Sequence, residues 1–387
     1  MPHISERERQ LPEQEISRLL RIAVEDKSVI SLGPGEPDFP APAPIVQLTK
    51  KYANQCNHYS PPGGIAELRE AIAKKLKKDN RIITDPENIV VTTGSQEALL
   101  IAAACTLDVS EQVILPDPSY LGFLPTFELF NAGICPVQLR EEDGFAVDPD
   151  EVEKCIDPKK TKVIMINTPA NPTGTVLSRE ILEQLADIAI EHDLLIFSDE
   201  AYEKIIYDDA KHVSVASLNG MEEHAVTFQS FSKTYAMCGY RVGYVAAPPE
   251  LTAAIKETHT DSTICAPTIS QKVALDALKL PGRYTEAMVR EYDRRRKLIV
   301  KRLNGMGLRT PTPKGAFYTF SNIKPWGGNS RKFSADLLKK VKVAVLPGTD
   351  FGKNGNGYIR CSYATDYKLI EKAMDKMEKF LSDYYPK

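Results

Sequence analysis

The sequence lacks a dominant charge. Its 49 lysines and arginines nearly balance 52 aspartates and glutamates, for a net charge of -3. That excludes the basic footprint of a nucleic-acid binder. With 42% hydrophobic residues, it also excludes general disorder. No run approaches ~18 consecutive apolar residues, so no membrane span is expected. Residues 1–11 lack the apolar centre of a secretory signal. Metal-site patterns are missing too: the six histidines show no H-x-x-x-H spacing and the seven cysteines no C-x-x-C. The cysteines (Cys56, Cys105, Cys135, Cys155, Cys238, Cys265, Cys361) are scattered and odd in number. They read as reduced thiols, mostly buried, in a cytoplasmic protein. No Walker motif and no fixed-period repeat occur. Gly33-Pro34-Gly35 follows an apolar stretch but is no dinucleotide fingerprint, because Asp38 stands where the last glycine belongs and the prolines up to Pro44 forbid the helix.

What is present is alternation. At about 150 residues per domain, 387 residues predict two or three lobes. Ile89–Thr93, Gln112–Leu115, Lys162–Asn167, Leu194–Phe197, Ala225–Phe228 and Tyr240–Ala247 read as strands. Between them, Ser95–Leu107, Tyr120–Asn131 and Ser178–His192 carry helical spacing, the last through Ile181, Leu182, Leu185, Ile188 and Ala189. Such alternation predicts an α/β fold with a mostly parallel sheet between helices, whose ligands sit beyond the carboxyl ends of the strands. After about Leu280 the pattern becomes that of a smaller α+β lobe. Its long helix, Arg283–Leu303, carries the basic run Arg290–Lys301, which reads as a wet helix face. A large domain over 46–280 and a discontinuous small one over 1–45 and 281–387 are therefore expected, with the Pro-rich stretch 33–44 running between them.

Polar residues gather where the strands end. Ser230-Phe231-Ser232-Lys233-Thr234 follows a strand, which places Lys233 at a sheet end. Burial there would favour the neutral amine that Schiff-base chemistry needs, although in isolation Lys233 reads rather as a snorkelling surface lysine. Asp199 closes an apolar strand, Asn171 lies in Asn167-Thr168-Pro169-Ala170-Asn171-Pro172, and Arg241 lies in Gly239-Tyr240-Arg241-Val242-Gly243. Taken singly, Asp199 reads as a helix cap, and Asn171 is equally a turn residue.

Together these motifs, from Gly35-Glu36-Pro37-Asp38-Phe39 to Arg360-Cys361-Ser362-Tyr363-Ala364, resemble the class I (fold-type I) pyridoxal-phosphate aminotransferases. The likeness is to the aspartate/aromatic subgroup of bacteria and archaea. The resemblance implies a seven-stranded, mostly parallel sheet and pyridoxal 5'-phosphate held as an aldimine on Lys233. It implies that Lys233 moves the substrate proton, that Asp199 pairs with the pyridine nitrogen, and that Tyr202 and Asn171 reach the ring oxygen O3′. Tyr120 would stack on the ring. Gly94, Ser95, Gln96, Ser230, Ser232 and Arg241 would hold the phosphate, and Tyr59 would reach the phosphate of a neighbouring subunit in a homodimer. Gly35, Tyr120, Asn171 and Arg360 would meet the substrate, Arg360 through its carboxylate, and a bulky side chain at Gly35 would block the pocket. Arg18, on a helix expected over Glu15–Val24, is a candidate for a distal carboxylate, or else part of a solvated face.

The implied reaction is ping-pong transfer of an amino group from aspartate or an aromatic L-amino acid to 2-oxoglutarate, aspartate leading. Gln96 stands where some aspartate-specific relatives carry lysine, which weakens strict aspartate specificity. A 2-aminoadipate transaminase, a C–S β-lyase on the same fold and a non-catalytic cofactor sensor remain alternatives. No metal, nucleic acid or membrane partner is expected.

Overall fold

Short aliphatic runs build the frame. The computed structural model describes residues 3–10, 21–22 and 25–384. Its strands are β1 (Ile30–Ser31), β2 (Ile89–Thr92), β3 (Gln112–Asp117), β4 (Gly133–Gln138), β5 (Thr161–Asn167) and β6 (Leu195–Asp199). There follow β7 (Ala225–Ser230), β8 (Gly243–Ala246), β9 (Tyr318–Asn322), β10 (Val343–Ala344), β11 (Leu346–Pro347) and β12 (Tyr358–Ser362). Seven of them form one sheet in the order β2-β8-β7-β6-β5-β3-β4. All neighbours run parallel except β8, which is antiparallel to both β2 and β7.

The inner strands are buried on both faces, which is why they read as unbroken apolar runs. Helices cover them. Arg179–Glu191 buries Leu182, Leu185, Ala186 and Ala189, and Ser178 caps it by accepting from the Ile181 amide at 3.3 Å. Ile181 and Ile188, expected on the same face, stay half-buried. Two apolar layers result, one on each side of the sheet.

A third layer gathers around the helices Arg283–Gly305 and Tyr367–Tyr384, the latter burying Ile370, Met374, Met377 and Leu381. Beside it lies a three-stranded antiparallel sheet in the order β11-β12-β9. β1 pairs in parallel with β10, Ile30 opposite Val343, which ties the N-terminal stretch to this part of the molecule.

Several expectations need correction. β4 has no strand signature, because it is an edge strand, mostly half-exposed, with Pro136 inside it. The helix expected from Tyr120 starts only at Phe123 and ends at Glu128. The stretch ending at Pro44 is helical at its end: Ala43–Tyr52 begins there, with the proline in its first turn, where a missing N–H does no harm. Helices Pro249–Thr263 and Thr268–Ala277 are additional. The basic run on Arg283–Gly305 is not simply a wet face. Arg295 and Arg296 are buried, Arg295 bonded to Asp38 and Glu291, Arg296 to Asp208, Asp293 and the Pro313 carbonyl. Nor are all the cysteines free thiols. Cys135 on β4 and Cys155, just past the helix Pro149–Lys154, form a disulfide. Of the remaining five only Cys361 is buried. The two partners lie 20 residues apart on different elements with no motif around either, so the pairing has no local signal.

Among the described residues, no helix is long and apolar enough to cross a membrane.

Candidate functional site

β5, β6 and β7 end side by side in Asn167, Asp199 and Ser230, with Asn167 opposite Asp199 in register. Beyond these ends opens a cavity of about 220 Å³, lined by Asp199, Tyr202, Lys233, Arg241, Tyr120 and Arg360, among others. A crevice at the carboxyl ends of parallel strands is where such folds place ligands.

Lys233 stands on a single helical turn, Phe231–Thr234, which Ser230 caps by accepting from the Ser232 amide at 3.1 Å. The cap turns the lysine back across the strand ends. Its Nζ donates to the Gly35 carbonyl at 2.5 Å and lies 6.0 Å from the centre of the Tyr202 ring. Burial pushes its ammonium below the ordinary lysine value. Burial likewise raises the Asp199 carboxyl to about 6, although the Ala201 amide, donating at 3.0 Å, and the Lys233 charge both favour the anion. Asn167 fastens this corner: its amide donates to the Asp199 carbonyl at 2.9 Å, and its oxygen accepts from the Asn171 amide at 2.8 Å.

The opposite wall comes from β9, β12 and the stretch after β1. Arg360, at the middle of β12, is fully buried. It donates to Asn171 Oδ1 at 3.0 Å and to the Gly33 carbonyl, and its plane stacks 4.3 Å from the centre of the Tyr318 ring. Its Nε is buried without a hydrogen-bond partner among the described residues. Burial lowers its pKa, so an anion brought beside it would meet a poorly compensated cation. The Tyr318 hydroxyl lies 2.6 Å from that of Tyr202. Gly35 borders this pair: a Cβ there would stand 2.5 Å from the Tyr318 hydroxyl, so that phenol, before any ligand, demands the glycine.

The other end of the cavity is an anion cradle. Gly94, at φ +98°, opens the helix Ser95–Thr106, whose first amides are free to donate outward. A Cβ on Gly94 would come within 2.6 Å of an Arg241 nitrogen, and one on Gly243 within 2.7 Å of the Ser95 amide nitrogen. Only bare backbone lets the guanidinium and the helix start approach so closely. Arg241 itself is held by donating to the Cys238 carbonyl at 2.9 Å. Ser95, Gln96, Ser230 and Ser232 line the same space, and Gln96 donates to Thr126 at 3.0 Å. Tyr120 lies along one side, edge-on to Phe123.

Thus Gly35, Ser95, Gln96, Tyr120, Asn171, Asp199, Tyr202, Ser230, Ser232, Lys233, Arg241 and Arg360 converge on one cavity, and Gly94 supports it. Tyr59 does not join them; it is 79% exposed on this chain. Arg18 lies outside the described residues. Tyr318 escapes a reading of the sequence. The inward face of the alternating stretch Ala316–Phe320 was the available signal for Tyr318, but nothing there separates a site phenol from a core one.

Behind Asp199, on the far side of the strand end, Glu200 and Glu203 are buried together. Lys75 pairs with Glu203, while Asn80, Ser214, Gln229 and His212 bond to the carboxylates. Burial opposes the Glu203 charge, yet Lys75, Lys204 and His212 together hold its carboxyl down at about 2.

A sequence profile described as "Aminotransferase class I and II" matches residues 27–377. The chain is 47% identical to an aspartate aminotransferase of Pyrococcus abyssi, over 95% of this chain and 96% of that one. It is 44% identical to aromatic-amino-acid aminotransferase 2 of Thermococcus litoralis, over 98% of each. Among solved structures, an aromatic aminotransferase from Pyrococcus horikoshii superposes with a TM-score of 0.90 at 45% identity, covering 95% of this chain and 99% of that one. Aspartate aminotransferase from Thermus thermophilus with maleate superposes with a TM-score of 0.94 at 33% identity, covering 98% and 100%.

Proposed function

The chain belongs to the class I and II aminotransferases, pyridoxal-phosphate enzymes of the α/β fold-type I class, and we propose that it moves the amino group of aspartate or an aromatic L-amino acid to 2-oxoglutarate. The observation that carries this reading is the pairing, in one cavity, of a lysine biased toward its neutral form with two guanidinium groups at separate places. The residues fit the cofactor. The Gly94–Arg241 cradle suits a phosphate dianion, and Asp199 offers a carboxylate deep in the crevice for a ring nitrogen. Bound, pyridoxal phosphate supplies an aldehyde carbon that captures an amine and a ring that withdraws electrons from it.

The chain's own groups do the rest. Lys233 is the group that would hold the cofactor, and then, as a neutral amine, take up the proton from the substrate Cα. Asp199, whose charge has no full partner in its buried corner, would gain one by keeping a proton on the ring nitrogen. Tyr202 would donate to the ring oxygen. Arg360 would offer its unpartnered Nε, with the fork arm now bonded to the Gly33 carbonyl, to the substrate α-carboxylate while its other arm donates to Asn171. Tyr120 would cover the ring, and Ser95, Gln96, Ser230 and Ser232 would surround the phosphate end.

We place the cofactor in a domain formed by residues 46–280, with residues 1–45 and 281–387 closing over it and excluding water. The exposed Tyr59 supports a homodimer in which it reaches the partner's phosphate, a dimer we place in the cytoplasm. Light scattering on the purified protein tests this; a monomer refutes it. For the substrate, the test is a half-reaction screen. Protein loaded with pyridoxal phosphate is mixed with single L-amino acids, and the loss of its visible absorbance is ranked. Aspartate and the aromatic amino acids should react fastest, 2-oxoglutarate should restore the band, and Lys233→Ala should show no band. A wild type that never acquires the band would sink the reading.

A further inference from the structure

We propose that Tyr318 is a positioning residue that donates its phenolic proton to Tyr202 and so sets the pH at which the bound cofactor titrates, an inference that rests on the pyridoxal-phosphate reading above. The two hydroxyls lie 2.6 Å apart, and both rings are buried. Each phenol has one proton to give. If Tyr202 gives its proton to the cofactor's ring oxygen, the proton between the two tyrosines must come from Tyr318. Chained hydrogen bonds polarise one another, so a Tyr202 that accepts from Tyr318 is the stronger donor to an anionic oxygen.

The surroundings fix Tyr318 for that task. It lies on β9 opposite Ser362 of β12, two residues from the Arg360 register position, and the Arg360 guanidinium stacks on its ring. Its ring meets Tyr202 and Phe317 at centroid distances of 5.7 and 4.9 Å. Gly35 leaves room for the hydroxyl, since a Cβ there would stand 2.5 Å from it. The charged and titratable groups facing the pair are Arg360, Tyr120, Cys238, Tyr292 and Tyr363, with Lys233 and Asp199 across the cavity. Of these, Arg360 is a cation that favours an oxyanion near it, and Asp199 opposes one.

The direction of the effect follows. Support for an anionic ring oxygen favours the cofactor form that has lost its proton, so removing that support moves the titration to higher pH. The test is an absorbance titration of the loaded enzyme. Tyr318→Phe keeps the ring under Arg360 and deletes only the hydroxyl. Its midpoint should rise by roughly 0.2–0.6 pH unit, given strengthening of 10–30% per chained bond. Tyr202→Phe should raise it further, and adding Tyr318→Phe to that variant should change nothing more. Gly35→Ala is a second probe, because its methyl crowds the Tyr318 hydroxyl off its partner; it should also raise the midpoint. An unshifted or lowered midpoint in either single variant overturns the proposal. So does an equal rise from Tyr318→Phe in the Tyr202→Phe background. A wild type that binds no pyridoxal phosphate defeats the functional reading itself, whereas a wild type that binds it beside unshifted variants defeats this proposal alone.

Discussion

Asp199→Asn should strengthen the cofactor-free protein while disabling the loaded one. Burial raises the Asp199 carboxyl to about 6, against an ordinary value near 4. A displacement of about two pH units is worth about 3 kcal/mol, an upper bound on what the buried charge takes from the fold at neutral pH. The folded value lies above the unfolded one, so between about pH 4 and 6 the native state holds the extra proton. Stability of the cofactor-free enzyme is therefore greater below that window and falls as pH rises through it. The amide keeps the shape and can still accept from the Ala201 amide, but carries no charge. Thermal unfolding of cofactor-free wild type and Asp199→Asn, at about pH 5 and pH 7.5, separates the two. The variant should melt a few degrees higher at the upper pH, with the gap narrowing at the lower one. With pyridoxal phosphate bound, the order should reverse and the half-reaction should slow at least about a hundredfold, as expected when a buried ionic partner is lost. A cofactor-free variant less stable than wild type at pH 7.5 would refute the argument that this charge stands uncompensated.

Lys75→Met should destabilise the protein by about 3–5 kcal/mol in urea unfolding, because it strands the buried Glu203 charge; Lys75→Met with Glu203→Gln should recover much of the loss. In the wild type Glu203 is held below its unfolded value, so its contribution is present above about pH 4.5 and fades as pH falls toward 2. Gly94→Ala should weaken pyridoxal phosphate binding at least about tenfold by equilibrium dialysis, since the methyl would meet Arg241 at 2.6 Å and the backbone stands at φ +98°; unchanged affinity would remove the cradle from the site. Arg360→Lys should raise the KM for the amino acid by about tenfold or more, because a point charge cannot reproduce the planar fork that meets a carboxylate; an unchanged KM would show that the carboxylate binds elsewhere.

Strand ends were the most legible part of the chain. Buried parallel strands announce themselves as apolar runs, and the polar residues that follow, Asn167, Asp199 and Ser230, mark the crevice without further help. The site residues beyond them took their roles from motif order, since Lys233 or Asn171 alone looks like any surface lysine or turn. What stayed hidden depends on distance in three dimensions. β4 gains its place from β3 and not from its own pattern. Cys135 meets Cys155 only because β4 passes near the end of the helix Pro149–Lys154. Arg295 and Arg296 turn inward because Asp38 and Asp208 arrive from distant segments. Tyr318 acquires its meaning from Tyr202, Gly35 and Arg360 at once.

One three-residue stretch holds two cations. The Gly33 carbonyl accepts from Arg360 and the Gly35 carbonyl from Lys233. A molecule that claims either cation takes a tether from this strap, and a strap held at one point yields more readily at the other. Occupancy at the lysine and at the arginine should therefore assist each other, and thermodynamic reciprocity makes the assistance equal in both directions. The segment just after β1 would then act as a shared latch between the two halves of the crevice.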